Sequence, residues 1–183
     1  MPFTHAAIDA TLILTKQHQL TVEQIESITA LVPEEVVKTV CEPLANKQSP
    51  TCAYEAQFSV PYLVAVALVR QDFTLKDLEP EPLEDKVVAD LAKKVSYKVD
   101  PNSGFPTYYS GEVHIHLKDG RTLKHREHKN RGCFDRPLSS EDITNKFFLN
   151  CQLTLSDEKA EQIKASILNL TTFASVSELT SQL

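Results

Sequence analysis

The sequence predicts an α+β protein, with a small antiparallel sheet packed with helices and further helices behind it. Apolar residues recur mainly at helical spacing before residue 96, the period changes to two over residues 96–129, and helical patterns return after residue 138. Helices that flank a small antiparallel sheet are typical of the α+β class. The length of 183 residues suits one medium domain or slightly more.

The first quarter of the chain contains one clear helix and two ambiguous segments. Thr4 is a suitable N-cap, and the apolar residues that follow it at helical spacing predict the first helix. Thr21 begins a capping-box pattern, after which the chain either continues as a helix or enters a strand that ends at Pro33. Residues 36–40 are either a short strand or a helical turn, and residues 44–54 are predicted to be a loop.

The most apolar segment, residues 56–70, is predicted to be a buried helix. Pro61 conflicts with a helix interior, so it either kinks this helix or lies in its first turn with Ser59 as the N-cap. A spacer rich in proline and glutamate at residues 79–82 precedes an amphipathic helix. That helix ends in lysines at residues 93–94, which suit the negative end of the helix dipole.

The sheet is predicted from alternating residues in the second half of the chain. Apolar and polar side chains alternate strictly over residues 112–118, and the Asp119-Gly120 pair predicts a hairpin to a return strand over residues 121–127. A loop is expected over residues 131–137. The predicted helices after it run from Ser139 through Leu149, over residues 155–170 with Ser156 as the cap, and over residues 175–183.

Composition excludes several classes of function. The formal net charge is −6, whereas nucleic-acid-binding modules carry basic stripes, so no nucleic-acid partner is expected. The longest apolar run, residues 60–69, is shorter than the ~20 residues that span a bilayer, so no membrane association is expected. No signal peptide is recognised, which predicts a cytoplasmic protein, or one of the mitochondrial matrix if the source is eukaryotic.

Four stretches occur in the order, and with about the spacing, of the motifs of one known family. They read THAAIDA over residues 4–10, EAQFSVPY over residues 55–62, GEV through DG over residues 111–120, and RPLS with KF over residues 136–147. One of them alone carries little weight, but the ordered set spans nearly the whole sequence. Together they resemble the carboxyl-terminal portion of the MmgE/PrpD family, which includes 2-methylcitrate dehydratase, cis-aconitate decarboxylase and iminodisuccinate epimerase.

The resemblance implies a domain organisation. Residues 1–138 would form the α+β lid domain of the family, and residues 139–183 would be the helical segment that returns to a large helical domain. In the family that helical domain precedes the lid, so the chain is expected to be a fragment that is inactive alone. No cofactor is expected. The chain is expected to form a homo-oligomer.

The resemblance also implies a metal-free lyase or isomerase that acts on a small di- or tricarboxylate such as 2-methylcitrate or cis-aconitate. His5 stands at the position of the family's lid histidine and is the candidate acid/base, because an imidazole titrates near pH ~6.5. Asp9 lies one helical turn later and could orient the ring. Tyr62 is the second candidate catalytic residue. The alternative is that His5 is an ordinary helix residue and Tyr62 packs in the core.

Four further residues are candidates for substrate binding. Gln57 and Ser59 precede the apolar helix, whose N-terminal N–H groups could bind a carboxylate, although Ser59 could equally be only a helix cap. Lys38 and Arg131 could neutralise substrate carboxylates, but a solvated lysine and an ordinary loop arginine would look the same in the sequence.

The hairpin contains a second set of titratable residues. Its histidines are His114, His116, His125 and His128. Four histidines could bind zinc, but alternate polar positions on a strand are typical of a wet sheet face, and the resemblance implies no metal. The four cysteines form no CxxC pair, so a thiolate-held cluster is not expected. The alternative function, from another class, is a non-catalytic truncated family member that serves as a binding or assembly module.

Overall fold

A computed structural model describes residues 2–181 apart from the side chain of Leu179, and over that part the predicted α+β class is confirmed. The strands are β1 (Ile25–Val32), β2 (Val95–Val99), β3 (Gly111–Leu117) and β4 (Thr122–Glu127). The helices are α1 (Pro2–His18), α2 (Val37–Val40), α3 (Leu44–Gln48), α4 (Ala53–Gln57), α5 (Val60–Arg70), α6 (Pro80–Leu83), α7 (Lys86–Ala92), α8 (Ser140–Cys151), α9 (Asp157–Leu168) and α10 (Val176–Thr180).

The four strands form one sheet in the order β2-β1-β3-β4. The hairpin between β3 and β4 is antiparallel as predicted, and Gly120 in its turn has a positive φ of 88°. β1 also pairs antiparallel with β3, with Ile28 opposite Ile115. On its other side β1 pairs parallel with β2, with Ile28 opposite Val95, so the sheet is mixed rather than wholly antiparallel. The helices between β1 and β2 supply the crossover that a parallel pair needs.

The core of the first part of the chain lies between one face of the sheet and two helices. α1 packs against β3 and β4, and α5 packs against α1 and β2. The alternation in β3 buries Val113, Ile115 and Leu117 on this face. Pro61 lies in the first turn of α5, and Ser59 is its N-cap, which confirms the second of the two predicted arrangements.

Several predicted boundaries change in the structure. The predicted N-cap role of Thr4 is wrong, because α1 begins at Pro2 and Thr4 is buried within it. After the capping box at Thr21 the chain forms a single 3₁₀ turn and then β1, a strand rich in β-branched residues. Residues 36–40 adopt the helical alternative.

The predicted loop at residues 44–54 is also wrong, since it contains α3 and the start of α4. α3 follows Pro43, which stands at its N-cap with extended backbone. The ammonium group of Lys47 then donates hydrogen bonds to the carbonyls of Thr39 and Phe58, each at 2.7 Å. These contacts with residues outside the segment favour the short helix, and local composition does not show them.

The described chain divides into two compact units, one ending at Pro137 and the other beginning at Leu138. In the second unit, Ser139 caps α8 in a capping box with Asp142, and Ser156 caps α9 as predicted. The last predicted helix is α10, and its final two predicted residues lie outside the described part of the chain. Within residues 2–181, no helix combines the length and the hydropathy that crossing a bilayer requires.

α1 passes close to the backbone of β3 at Gly111. A Cβ atom added to Gly111 would lie 3.1 Å from the Cβ atom of Ala6. We therefore expect Gly111→Ala to lower the free energy of unfolding by about 1–3 kcal/mol, as overpacking does, in urea denaturation. In the Ala6→Gly background, Gly111→Ala should lower the free energy of unfolding by clearly less. An equal decrease in both backgrounds would mean that the contact between positions 6 and 111 does not limit the packing.

Candidate functional site

The first turns of α1 bring a histidine and a carboxylate to one face of the first unit. His5 is exposed, and Asp9 follows it by four residues, so the two side chains lie on the same face of the helix. Asp9 Oδ1 accepts a hydrogen bond from Arg131 Nη2 at 3.1 Å, across 122 positions of sequence. The Arg131 side chain is half exposed, whereas only 12% of the Asp9 side chain is exposed. Asp9 thus brings Arg131 to the helix that carries His5.

Arg131 lies in the segment that follows β4, residues 128–135, which we call the arm. The carboxylate of Asp135 accepts a hydrogen bond from the Tyr108 hydroxyl at 2.7 Å and another from Lys129. The hydrogen bond from Lys129 and then that from Tyr108 lower the pKa of Asp135 to about 2. The side chain of Asn130 accepts the backbone N–H of Tyr109 at 3.0 Å. The arm is thus tied to the segment between β2 and β3 on both sides of Arg131.

The residues at the start of α5 form a second, separate group. The Ser59 hydroxyl accepts the backbone N–H of Tyr62 at 3.0 Å and donates to the carbonyl of Lys47. The phenol of Tyr62 donates to the carbonyl of Asp77 at 2.9 Å, and the residue is 2% exposed. Burial, and then the charge of Asp77, raise the pKa of Tyr62 to about 12. Both polar groups of this pair thus have partners within the protein.

Two predicted binding residues lie outside these groups. Lys38 is exposed on α2, and Gln57 is exposed at the end of α4. His5 and Asp9 lie on α1 and Arg131 binds Asp9, whereas Ser59 and Tyr62 stand at the start of α5. The roles of these seven residues in catalysis and binding stay predictions.

The hairpin histidines do not share one environment. His114 and His116 lie on the sheet face away from α1, but His125 stands opposite the core residue Val113, on the face that α1 covers. His125 therefore does not share a face with His114 and His116, although 27% of its side chain is exposed. Among residues 2–181, no three His, Cys, Asp or Glu side chains are grouped as metal ligands.

A buried ion-pair network on the sheet face away from α1 was missed by sequence reasoning. The guanidinium of Arg126 donates two hydrogen bonds of 2.8 Å to Asp100, whose side chain is 0% exposed, and one of 2.6 Å to Glu112. His114 Nε2 lies 2.5 Å from the other Glu112 oxygen. Burial alone would raise the pKa of Glu112, but His114 and Arg126 outweigh it and lower that pKa.

A second buried carboxylate, Glu127, was also missed, although it ends β4 on the face that packs against α1. His125 Nε2 lies 2.8 Å from its Oε1, and Arg136 donates to its Oε2. One signal could have identified it: Glu127 falls on the alternation of β4 that also includes Leu123, so its register is that of a core residue.

Comparisons with known proteins match this chain along most of its length. The family model described as the MmgE/PrpD C-terminal domain matches residues 1–172. Cis-aconitate decarboxylase from Mus musculus is 28% identical over 177 residues, which cover 96% of this chain and 35% of that protein. The Homo sapiens cis-aconitate decarboxylase is 28% identical over 161 residues, covering 84% of this chain and 33% of that protein.

A further relative is fungal. A cis-aconitate decarboxylase-like protein from Aspergillus oryzae is 27% identical over 136 residues, which cover 74% of this chain and 28% of that protein. The chain therefore spans about a third of the length of the curated relatives that it matches.

Proposed function

The chain belongs to the MmgE/PrpD family, and on this premise we propose that it provides part of the active site of a lyase or isomerase acting on a small di- or tricarboxylate. Cis-aconitate is the first substrate to test, since the matched mouse and human relatives are cis-aconitate decarboxylases. The observation that carries the proposal is the match over residues 1–172, together with an exposed histidine on the helix whose Asp9 binds a half-exposed arginine.

The chemistry assigns a role to each residue of the α1 cluster. Loss of carbon dioxide, or removal of a proton beside a carboxylate, leaves negative charge that a cation and a proton donor must stabilise. His5 is the proposed acid/base. Arg131 has guanidinium donors beyond the one that Asp9 accepts, and these can bind a substrate carboxylate. Asp9 holds Arg131 on the helix face that carries His5.

We expect the 183-residue chain alone to be inactive, because it spans about a third of its relatives and the groups of an active site act as a unit. A hybrid in which this chain replaces the matched segment of the mouse enzyme should release carbon dioxide from cis-aconitate. Both proteins are assayed for carbon dioxide, with circular dichroism and gel filtration as checks of folding. Turnover by the chain alone, or a folded hybrid without turnover, would contradict the proposal.

The proposal gives Tyr62 a structural role, which a single substitution tests in the hybrid. Tyr62→Phe removes the hydrogen bond to the Asp77 carbonyl, so the free energy of unfolding should fall by about 1 kcal/mol while kcat stays unchanged. Urea denaturation and steady-state kinetics measure the two effects. A large loss of kcat without loss of stability would restore Tyr62 as the catalytic residue that the sequence predicts.

One observation favours the second candidate, a non-catalytic binding or assembly module. α8 buries none of its 12 residues, and apolar side chains of the second unit are exposed. They include Ile143, Leu149, Ile167, Leu168 and Val176. Exposed apolar patches promote association, so this candidate includes a homo-oligomer. Concentration-dependent sedimentation of the chain, together with a folded but inactive hybrid, would favour the module, and a monomer at all concentrations would count against it.

A further inference from the structure

The carboxylate of Glu127 is unusual in being both buried and doubly partnered on the side of the sheet that faces α1. Its side chain is 6% exposed, with Arg136 at one oxygen and His125 Nε2 at 2.8 Å from the other. A buried carboxylate is costly unless charged or hydrogen-bonding groups surround it, so the fold holds Arg136 firmly in this place.

Arg136 in turn closes the arm on itself. The Nη1 atom that donates to Glu127 also donates to the carbonyl of Lys129 at 2.7 Å. The backbone carbonyl of Arg136 accepts the N–H of Gly132 at 2.8 Å. Arg136, the residue that follows the arm, is therefore joined to Lys129 and to Gly132. Arg131 lies between these two positions, and its guanidinium is directed to Asp9 on α1.

We propose that Glu127 and Arg136 form a clasp that positions Arg131 for carboxylate binding beside His5, an inference that rests on the proposed function. They are positioning residues, because they act through the arm. Ordering a long side chain before the substrate arrives removes an entropic cost from binding. The buried clasp thus contributes to the affinity of Arg131 for a substrate carboxylate without touching the substrate.

The chain offers a closely matched control on the opposite face of the same hairpin. Glu112 also pairs with an arginine, Arg126, and with a histidine two residues away, His114, but these contacts do not involve the arm.

Glu127→Gln should increase the fast motion of residues 130–134 and of the Arg131 guanidinium, as measured by ¹⁵N relaxation. Glu112→Gln should leave this motion unchanged. Arg136→Met, which removes both side-chain hydrogen bonds, provides a second variant should Glu127→Gln fail to fold. An arm as rigid as wild type in the folded variants would overturn the proposal.

A titration of the isotope-labelled chain with cis-aconitate, monitored through the NMR signals of Arg131 and His5, distinguishes this inference from the proposed function. We expect the Kd to rise about threefold to tenfold in Glu127→Gln, as for the ordering of one long side chain, and to be unchanged in Glu112→Gln. If the wild-type chain binds at these signals and Glu127→Gln binds equally well, the clasp is overturned. If the wild-type chain shows no response, the relaxation measurement decides whether the clasp exists, and carbon dioxide release by the hybrid decides the proposed function.

Discussion

Replacing His5 by glutamine lowers the kcat of the active hybrid by ~10²–10⁴, the usual contribution of a general acid or base. Glutamine keeps a polar side chain of similar size but cannot exchange a proton near neutral pH. Because His5 is exposed on α1, we expect the free energy of unfolding to change little. Steady-state kinetics with cis-aconitate, together with urea denaturation, measure both effects.

A matched control lies at the other end of the same helix. His18 is exposed in the last turn of α1, and His18→Gln should leave kcat unchanged. Equal losses in the two variants would show that the effect is general to α1. A His5→Gln hybrid that keeps the wild-type kcat would remove His5 from the chemistry, whatever the binding data show.

Replacing Asp100 by asparagine is expected to cost about 3–5 kcal/mol of unfolding free energy at neutral pH, the typical result of removing one partner of a buried ion pair. The Asp100 side chain is fully buried, and its two hydrogen bonds from Arg126 are lost or weakened in the variant. Arg126 would keep Glu112 as a partner, which places the expected loss toward the lower end of the range. Urea denaturation of the chain measures it.

The pH dependence provides an independent check on this pair. The hydrogen bonds from Arg126 are the main reason that the pKa of Asp100 is below its usual value. A carboxyl with a lowered folded-state pKa stabilises the fold above its unfolded pKa of ~3.9 and loses that effect as the pH falls through the folded value. The stability difference between wild type and Asp100→Asn should therefore narrow only below pH ~4. A difference that is constant down to pH ~2 would contradict this assignment.

The parts of the fold that were predictable are those fixed by local chemistry. Ser59 and Pro61 mark the start of α5 because a side-chain acceptor and a fixed φ act within one turn. Asp119-Gly120 marks the hairpin because its turn needs a positive φ. The parallel pairing of β1 with β2 was not predictable in this way, since partners such as Ile28 and Val95 are far apart in sequence.

The same distinction applies to the candidate site. His5 and Asp9 share a helix face, so four-residue spacing was sufficient to associate them. The pairing of Asp9 with Arg131 spans 122 positions, and no local pattern encodes it. Glu127 was overlooked because a charged residue at a strand end usually indicates an exposed position, whereas the register of β4 buries it.

The position of cis-aconitate in a crystal structure of the hybrid tests the central claim, that the face of α1 carrying His5, together with Arg131 of the arm, belongs to a polycarboxylate site. We predict a substrate carboxylate at the Arg131 guanidinium, with the His5 imidazole within ~2.6–3.2 Å of the reacting portion or linked to it by one water molecule. Substrate bound elsewhere, with His5 and Arg131 both facing bulk solvent, would contradict the account.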